Sequence, residues 1–376
     1  MRKFLGMILL ALACPALSAT ELGTKEGAKP TNLPSSLSSV DLRFWGRVVM
    51  NVHYDTDDIR GDTDFATYLT GEGQEEVNFN GRDTRFGFSA SSPPKNGWKA
   101  GLVTELDFYG DNAGNNLLPR LRLGYVNLVH DNGLSFRMGQ DWIPIGQQNP
   151  DTVDFGILAW GGNLWWRVPQ LTVRKKNGNI EWLGSLMKHR VSTSQENQED
   201  MPWFLGRVAW SKGSHLLALG LGARNVEVSD NDYSPFMAVL EFKTGLGERA
   251  SVKGELWNGV GIGREFIRYG LDYNHAGNTE IEGTGGFVSF GMKVASGSVN
   301  LGYGFDDPED ADTIDPVTGT SIAVPFLENS VLFANYKWQF NKQFGGGFEV
   351  MDFDTTQASG KELSGQRFTT SFSYVF

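Results

Sequence analysis

Arginine is the residue type in this sequence with the clearest capacity for chemistry. Eight arginines lie on the polar side of segments in which polar and apolar residues alternate. They are Arg43, Arg47, Arg85, Arg120, Arg122, Arg137, Arg167 and Arg174. A guanidinium group binds a carboxylate through two parallel hydrogen bonds, and several such groups on one wall attract anions and repel cations. If these arginines share one surface, the sequence predicts a site that prefers anionic solutes.

Acidic residues accompany these arginines on the same polar sides, namely Glu105, Asp107 and Asp141. Two interpretations remain open. Opposite charges could face each other across an opening and create a transverse field that aligns polar solutes. Alternatively, each arginine could pair with an acid and only maintain the shape of the wall. Residues that face a lumen often tune selectivity, but any single charge there can be structural.

A second candidate is the segment 143–163, which resembles neither a strand nor an ordinary surface loop. Glycines and a proline interrupt any strand, yet the segment also carries large apolar side chains. Such a loop should pack, either inside an opening as a constriction or against a rim or a second subunit. We favour the constriction, in which Asp151 and Asp154 would face the opening. The candidate residues of this loop are Asp151, Asp154, Phe155 and Trp160.

β-strands are the elements that must position these residues. From residue 40 onward, apolar and polar residues alternate with a period of two. For example, Leu121, Leu123 and Tyr125 oppose Arg120 and Arg122. About sixteen segments, with fourteen to eighteen allowed by the pattern, are near the length that a tilted strand needs to cross a bilayer. Because short turns alternate with long acidic loops, the sequence predicts an all-β, antiparallel, up-and-down transmembrane barrel.

A soluble β-sandwich would show the same alternation, and three features argue against it. The polar sides carry charges and glycine in strand after strand, which suits a water-filled interior. Aromatic residues such as Trp165 and Trp166 lie near segment ends, where membrane-interface girdles occur. The last segment alternates Phe372, Tyr374 and Phe376 with polar residues. In hydrocarbon the sheet must close on itself, so such a terminal strand is expected to pair with the first.

The N-terminal residues are not expected to belong to the barrel. Residues 1–19 combine Arg2 and Lys3 with a short apolar run and small residues, which is typical of a secretory signal peptide. A lipoprotein cleavage box before Cys14 is the alternative. Residues 20–39 are polar and predict a flexible periplasmic leader, and residues 40–376 predict the barrel. Cys14 is the only cysteine, so the mature chain is expected to need no disulfide.

Composition and motifs argue against several other functions. The net charge of −11 disfavours nucleic-acid binding. The five histidines have no HExxH spacing and no GxSxG motif occurs, so we predict no catalytic residues, no metal and no cofactor. An outer-membrane barrel enzyme assembled from distant strands and a structural or adhesive barrel with a blocked lumen remain the alternatives. About sixteen strands leave an aqueous bore, which favours a channel.

Two stretches resemble known outer-membrane proteins. The final Tyr-Val-Phe resembles the signal by which outer-membrane barrels are recognised for assembly, which would be carried by Phe372, Tyr374 and Phe376. The sequences RDTRFGFSA (82–90), LVTELDFYGDN (102–112), LPRLRLGYVNL (118–128) and GQDWIPI (139–145) are similar to porins of the DcaP-like family. That resemblance implies a sixteen-stranded barrel, usually trimeric, for uptake of small and often negatively charged organic molecules.

Together these observations predict a porin in the outer membrane of a Gram-negative bacterium. We expect passive diffusion of small hydrophilic solutes with a preference for carboxylate anions. The expected partners are these solutes, the lipid bilayer with its lipopolysaccharide, the outer-membrane assembly machinery and two further copies of the chain in a homotrimer.

Overall fold

The computed structural model describes most of the predicted barrel. It describes residues 40–376 except 58, 60–65, 72–73, 111–116, 191–200, 229–230, 268–271, 275–278, 310–311, 315–320, 324–325 and 358. The predicted signal peptide and periplasmic leader lie outside the described residues. Across the described ranges, no helix combines the length and the hydropathy needed to span a membrane.

Sixteen antiparallel strands form one closed sheet in the described part of the chain. They are β1 (Asp41–Asp55), β2 (Glu76–Asn80 and Arg85–Ser91), β3 (Trp98–Asp107), β4 (Arg120–His130), β5 (Leu134–Trp142), β6 (Arg167–Asn177), β7 (Ile180–Met187), β8 (Trp203–Lys212), β9 (His215–Ala223), β10 (Phe236–Leu246), β11 (Ala250–Val260), β12 (Glu282–Val294), β13 (Gly297–Pro308), β14 (Phe326–Gln339), β15 (Phe344–Gln357) and β16 (Glu362–Val375). Each strand pairs with the next in sequence, so the predicted up-and-down barrel is confirmed.

The barrel closes between its first and last strands. Strand β1 pairs with β2 along one edge and with β16 along the other. In the second pairing, Tyr54 is opposite Phe368 and Arg47 is opposite Val375. Backbone hydrogen bonds between Gly46 and Phe376 extend the ladder to the last residue of the chain. Closure gives the backbone groups of both edge strands a partner, which hydrocarbon requires.

The outer face of the sheet is apolar, as the alternation predicts. Strand β8 shows the pattern clearly: Phe204, Val208 and Trp210 are exposed, whereas Leu205 and Arg207 between them are buried. The exposed set continues around the barrel as a band of apolar side chains with a period of two. A band of this kind is stable against lipid tails, because it needs no hydrogen-bonding partner there.

Strand β4 changes faces at a β-bulge, which the sequence alternation does not reveal. Leu121 and Leu123 pair with successive residues of β3, so Arg122 is the extra residue between them. After the bulge, the Tyr125 ring faces the lumen, where the Arg137 guanidinium lies 4.3 Å from its centre. The prediction that Tyr125 shares the face of Leu121 is therefore wrong, since one inserted residue inverts the alternation beyond it.

Short turns connect the strands at one end of the barrel, here the turn end, and longer loops connect them at the other, the loop end. The loop between β5 and β6, residues 143–166, is named L3. It lies inside the barrel, where the Trp257 indole donates a 2.8 Å hydrogen bond to the Gly162 carbonyl. Gly162 has a φ of +87°, and a Cβ there would lie 2.0 Å from the Gly286 carbonyl oxygen. Only glycine allows this approach of L3 to the wall.

Two further loops fill part of the loop end. Residues 56–75 (L1) contribute Tyr68 and Leu69, and residues 261–281 (L6) contribute Ile262 and Phe266, all of them buried. Tyr68, Ile262 and Phe266 belong to one apolar cluster with residues of L3, whereas Leu69 belongs to a second one with Leu158 of L3. The loop-end half of the lumen is therefore lined partly by apolar side chains, and polar groups dominate elsewhere.

Candidate functional site

Buried glutamates on the wall opposite the arginines hold the two ends of L3. Glu241 of β10 accepts a hydrogen bond from the Gly146 backbone N–H at 3.1 Å. Glu255 of β11 accepts one from the Leu164 N–H at 2.7 Å. The two carboxylate oxygens of Glu241 also accept hydrogen bonds from Nε and Nη2 of Arg207, at 2.7 and 2.9 Å. Because Glu241 and Glu255 are directly opposite each other in the sheet, both ends of L3 are fixed to adjacent strands.

A third glutamate and an arginine hold the middle of L3. Glu349 of β15 accepts hydrogen bonds from the Val153 and Asp154 N–H groups, each at 2.7 Å. Arg367 of β16 donates to Asp154 at 3.1 Å and to both oxygens of Asp55 at 2.7 Å. Sequence reasoning missed Glu349 and Arg367. The signal for each was a charged residue on the inward face of a strand that is far along the sequence from the predicted arginines.

Asp154 is an anchor of L3 and does not face an open lumen, contrary to the prediction. Its side chain is only 1% exposed, and it accepts hydrogen bonds from the Ala66 and Gly156 N–H groups. Burial raises the pKa of the Asp154 carboxyl, although Arg367 and the two N–H groups favour its charged form. Arg367 therefore favours the charged form of a carboxyl group whose charge burial disfavours.

The arginines from β1, β2, β4 and β6 gather with three acids beside L3. This arginine cluster consists of Arg47, Arg85, Arg120, Arg122 and Arg167 with Asp83, Glu105 and Asp107. The Asp107 carboxylate accepts two hydrogen bonds from Arg120, at 3.0 and 2.8 Å, and one from Arg122, at 2.7 Å. Arg122 also donates a hydrogen bond to Glu105 at 2.7 Å. Arg47 and Arg85 both pair with Asp83. Five guanidinium groups face three carboxylates, so the cluster carries an excess of two positive charges.

Arg167 is the member of the cluster without an acid. Among the described residues, its guanidinium has no ion pair and no hydrogen bond, and its Nη1 atom is buried without a partner. It is 9% exposed and lies over the rings of Trp142 and Trp165, at 4.9 and 5.2 Å from their centres. Arg122, Arg120 and Arg85 repel it electrostatically. Since a buried cation without a counter-ion is costly, this position is suited to receive an anion.

Aromatic rings from L3 and its neighbours form the floor of the cluster. Phe155 of L3 stacks on Tyr109, with ring centres 4.3 Å apart. The guanidinium groups of Arg85 and Arg122 each lie 5.5 Å from the centre of the Phe155 ring. These contacts hold the arginines flat against an apolar surface, and cation–π attraction adds to the ion pairs.

The remaining predicted residues of the lumen lie outside the cluster. Arg137 pairs with Asp141. Arg174 is 3.5 Å from Glu181. Arg137 of β5 and Arg174 of β6 border a cavity of about 290 Å³ against L3. Asp151 binds Lys253 at 2.9 Å. Trp160 is half-buried and packs against two apolar clusters.

Arg43 lies apart from the other arginines. Its guanidinium is 73% exposed and pairs with Asp41 at 3.0 Å, near the turn end of β1. Seven of the eight predicted arginines therefore form ion pairs, which is what the structural interpretation expects. Arg167 and the charge excess are what the selectivity interpretation expects. Within the described residues, no group of three or more His, Cys, Asp or Glu side chains could hold a metal ion.

Comparison with solved structures gives clear likenesses, although no protein-family model and no curated protein sequence matches this chain. The outer-membrane channel DcaP of Acinetobacter baumannii aligns with a TM-score of 0.76 at 18% identity, over 90% of this chain and 98% of that one. An anion-selective porin from Comamonas acidovorans aligns with a TM-score of 0.64 at 15% identity, over 90% and 100%. Salmonella typhi OmpF, in complex with daunomycin, aligns with a TM-score of 0.62 at 10% identity, over 90% and 98%.

The fold is that of an outer-membrane porin. The resemblance to DcaP-like porins is thereby confirmed for the fold, as is the closed antiparallel barrel. Identities this low show the fold alone, so solute and selectivity have to be argued from this chain's own residues.

The predicted assembly signal lies where the porin barrel closes. Phe372 and Tyr374 lie on the outer side of β16, and Phe376 extends it by one residue. A Cβ on Gly46 would lie 2.4 Å from the Phe376 ring, so β1 has no side chain at the point where that ring packs. The three aromatic residues are accessible from outside the barrel, with Tyr374 49% and Phe376 56% exposed.

Proposed function

We propose that this porin is a passive diffusion channel for small hydrophilic solutes and that it prefers anions, carboxylates above all. The observation that carries the proposal is the unpaired guanidinium of Arg167 inside a cluster with excess positive charge. A carboxylate passing L3 would meet a bidentate partner that no acid of the described lumen occupies. The low-dielectric walls around it strengthen that attraction.

The turn-end half of the lumen supports the same preference. Lys243 of β10 is directly opposite Lys253 of β11, and Lys253 reaches Asp151 of L3, so this face points inward. In the strand register, Lys293 of β12 and Lys337 of β14 are both directly opposite Ser298 of β13, one on either side of it. The lumen wall is thus rich in cations although the whole chain has a net charge of −11.

The test is the reversal potential of single channels in a planar bilayer under a potassium chloride gradient. We expect the wild type to prefer chloride, and Arg167→Met to lower the chloride-to-potassium permeability ratio. The matched control is Arg249→Met, which removes an exposed arginine from a turn. A strong cation preference in the wild type would refute the proposal. If Arg167→Met and Arg249→Met shift the reversal potential equally, Arg167 has no special part in the selectivity.

We also propose that the chain forms a homotrimer in the lipopolysaccharide-containing outer membrane and is inserted there by the outer-membrane assembly machinery. One structural neighbour, the in-vitro folded OmpT of Vibrio cholerae, has a trimer form; it aligns at 12% identity with a TM-score of 0.59. Cross-linking in native outer membranes tests the trimer. Removing Phe376 tests the assembly signal, because the truncated chain should then accumulate outside the outer membrane.

A barrel with a blocked lumen is the second candidate, and one observation favours it. The apolar clusters that L1, L3 and L6 form at the loop end bury Leu69, Leu158 and Phe266 inside the barrel. Liposome swelling with solutes of graded size distinguishes the two candidates, since a blocked barrel excludes all of them. We propose no catalytic activity, and lipase and protease assays on the purified protein test that.

A further inference from the structure

A cavity of about 270 Å³ lies on the turn-end side of L3. It is bordered by the middle of L3 and by the inward faces of β1, β14, β15 and β16. The polar residues that line it include Arg47, Thr152, Lys337, Ser371 and Ser373, with Gln343 from the turn between β14 and β15. Since a water molecule takes roughly 30 Å³ in the liquid, the cavity has room for a small organic ion rather than for a single water.

Lys337 is the cation of this cavity that lacks a partner. Within the described ranges its ammonium group forms no ion pair and no hydrogen bond, although Asp151 and Glu349 attract it electrostatically. Both acids are already bound elsewhere: Asp151 pairs with Lys253, and Glu349 accepts the L3 backbone N–H groups. The strand register places Lys337 on the inward face, so its three N–H donors are available to a solute.

Glycines and small hydroxyl residues shape the cavity. Gly345 and Gly347 lie on the inward side of β15, and a Cβ on Gly347 would be 2.6 Å from a methyl group of Val153. Larger residues here would push L3 away from the wall. Ser371 and Ser373 line the same cavity as Lys337, and the single lining carboxylate, Asp83, is paired with Arg47 and Arg85.

We propose that this cavity is a second anion-binding site, which takes the carboxylate or phosphate group of a small solute on Lys337 and Arg47. It rests on the proposed channel function and adds a step to it. Arg47 belongs to both the arginine cluster and the cavity, so the two sites adjoin. A solute anion leaving Arg167 would meet the cavity next, and several weak sites in series allow passage without trapping.

The experiment compares block of the chloride current by sodium phosphate and by sodium acetate, added to each side of single channels in turn. The variants are Lys337→Met, Lys337→Arg and the control Lys342→Met, an exposed lysine in the nearby turn. We expect Lys337→Met to raise the half-blocking concentration about tenfold from the turn-end side, because one charge of the site is lost. Lys337→Arg should keep most of the block, and Lys342→Met should match the wild type.

The outcomes separate this inference from the proposed function. If both anions block and both depend on Lys337, the site recognises the negative charge; dependence for one anion alone assigns the site to that group. Equal block in the wild type, Lys337→Met and Lys342→Met overturns the site, as does absence of block in the wild type, even where reversal potentials show anion preference. If the wild type shows no anion preference in the reversal potential but its block still depends on Lys337, the proposed selectivity is refuted and the site is retained. Heat-modifiable mobility on gels confirms that each variant is folded.

Discussion

Arg367→Met should strongly destabilise the barrel, because Arg367 joins three parts of the structure. Its guanidinium binds both oxygens of Asp55 at 2.7 Å and one oxygen of Asp154 at 3.1 Å. Asp55 belongs to β1, Arg367 to β16 and Asp154 to L3. Methionine replaces the aliphatic part of the side chain but leaves two buried carboxylates without their cation.

The expected loss follows from that burial. Arg367 is 2% exposed and Asp55 is 6% exposed, so solvent does not screen the pair. Removing one partner of a buried, hydrogen-bonded ion pair costs about 3–5 kcal/mol of unfolding free energy. Most of this cost is the uncompensated charge, so adding Asp55→Asn to Arg367→Met should restore at least about 1 kcal/mol. Asp55→Asn alone should be harmful, since it leaves Arg367 with Asp154 only.

Urea unfolding of the protein in detergent micelles, followed by tryptophan fluorescence, measures these differences. The loss caused by Arg367→Met should shrink at acidic pH. Burial raises the pKa of Asp154, and losing Arg367 raises it further, so protonation relieves the variant and its stability falls as the pH rises. A loss below about 1 kcal/mol, or no recovery in the double variant, would refute the argument that Arg367 holds the closure and L3 together.

Three further predictions concern the loops. Glu349→Gln should loosen L3, because the Val153 and Asp154 N–H groups bind different oxygens of the carboxylate and an amide would face one of them with its NH2 group. Single-channel conductance and current noise should rise, whereas the exposed Glu362→Gln should change neither. Burial raises the pKa of Glu265 in L6 to about 8 from its ordinary 4.5, so the folded protein keeps a proton that the unfolded chain releases. As the pH rises from 4.5 to about 8, the unfolding free energy of the wild type should therefore fall more steeply than that of Glu265→Gln. Urea unfolding at several pH values measures the difference. Gly162→Ala should cost more than about 1 kcal/mol in the same assay, since its φ of +87° and the nearby Gly286 carbonyl both oppose a Cβ.

The strands and their faces could be predicted because a membrane barrel repeats one simple pattern. The predicted segment 134–142 coincides with β5, and the final strand lies where the alternation of Phe372 and Tyr374 places it. Lipid demands apolar residues on every outward position, so each strand carries the signal independently. The bulge at Arg122 could not be predicted, since a single inserted residue leaves the local composition unchanged.

The contacts of L3 could be predicted only in part, for a different physical reason. An apolar loop full of glycine had to pack somewhere, and that much was visible in the sequence. Its partners are Glu241, Glu255 and Glu349, which lie about one to two hundred residues further along the chain. Which side chains meet across a lumen depends on the stagger of the closed sheet, and a single sequence does not specify it.

The ion pairs of the lumen arginines are compatible with the proposed anion selectivity. The ion pairs of Arg120 and Arg122 with Asp107 hold two guanidinium groups in place beside Arg167, and these groups keep an excess of positive charge around it. Removing a paired arginine also leaves a buried acid without a partner, so such a variant changes the structure and the field together. Arg167→Met leaves no acid unpaired, because among the described residues Arg167 pairs with none. Its effect on the reversal potential should therefore report the field of the cluster more directly than any substitution of its paired neighbours.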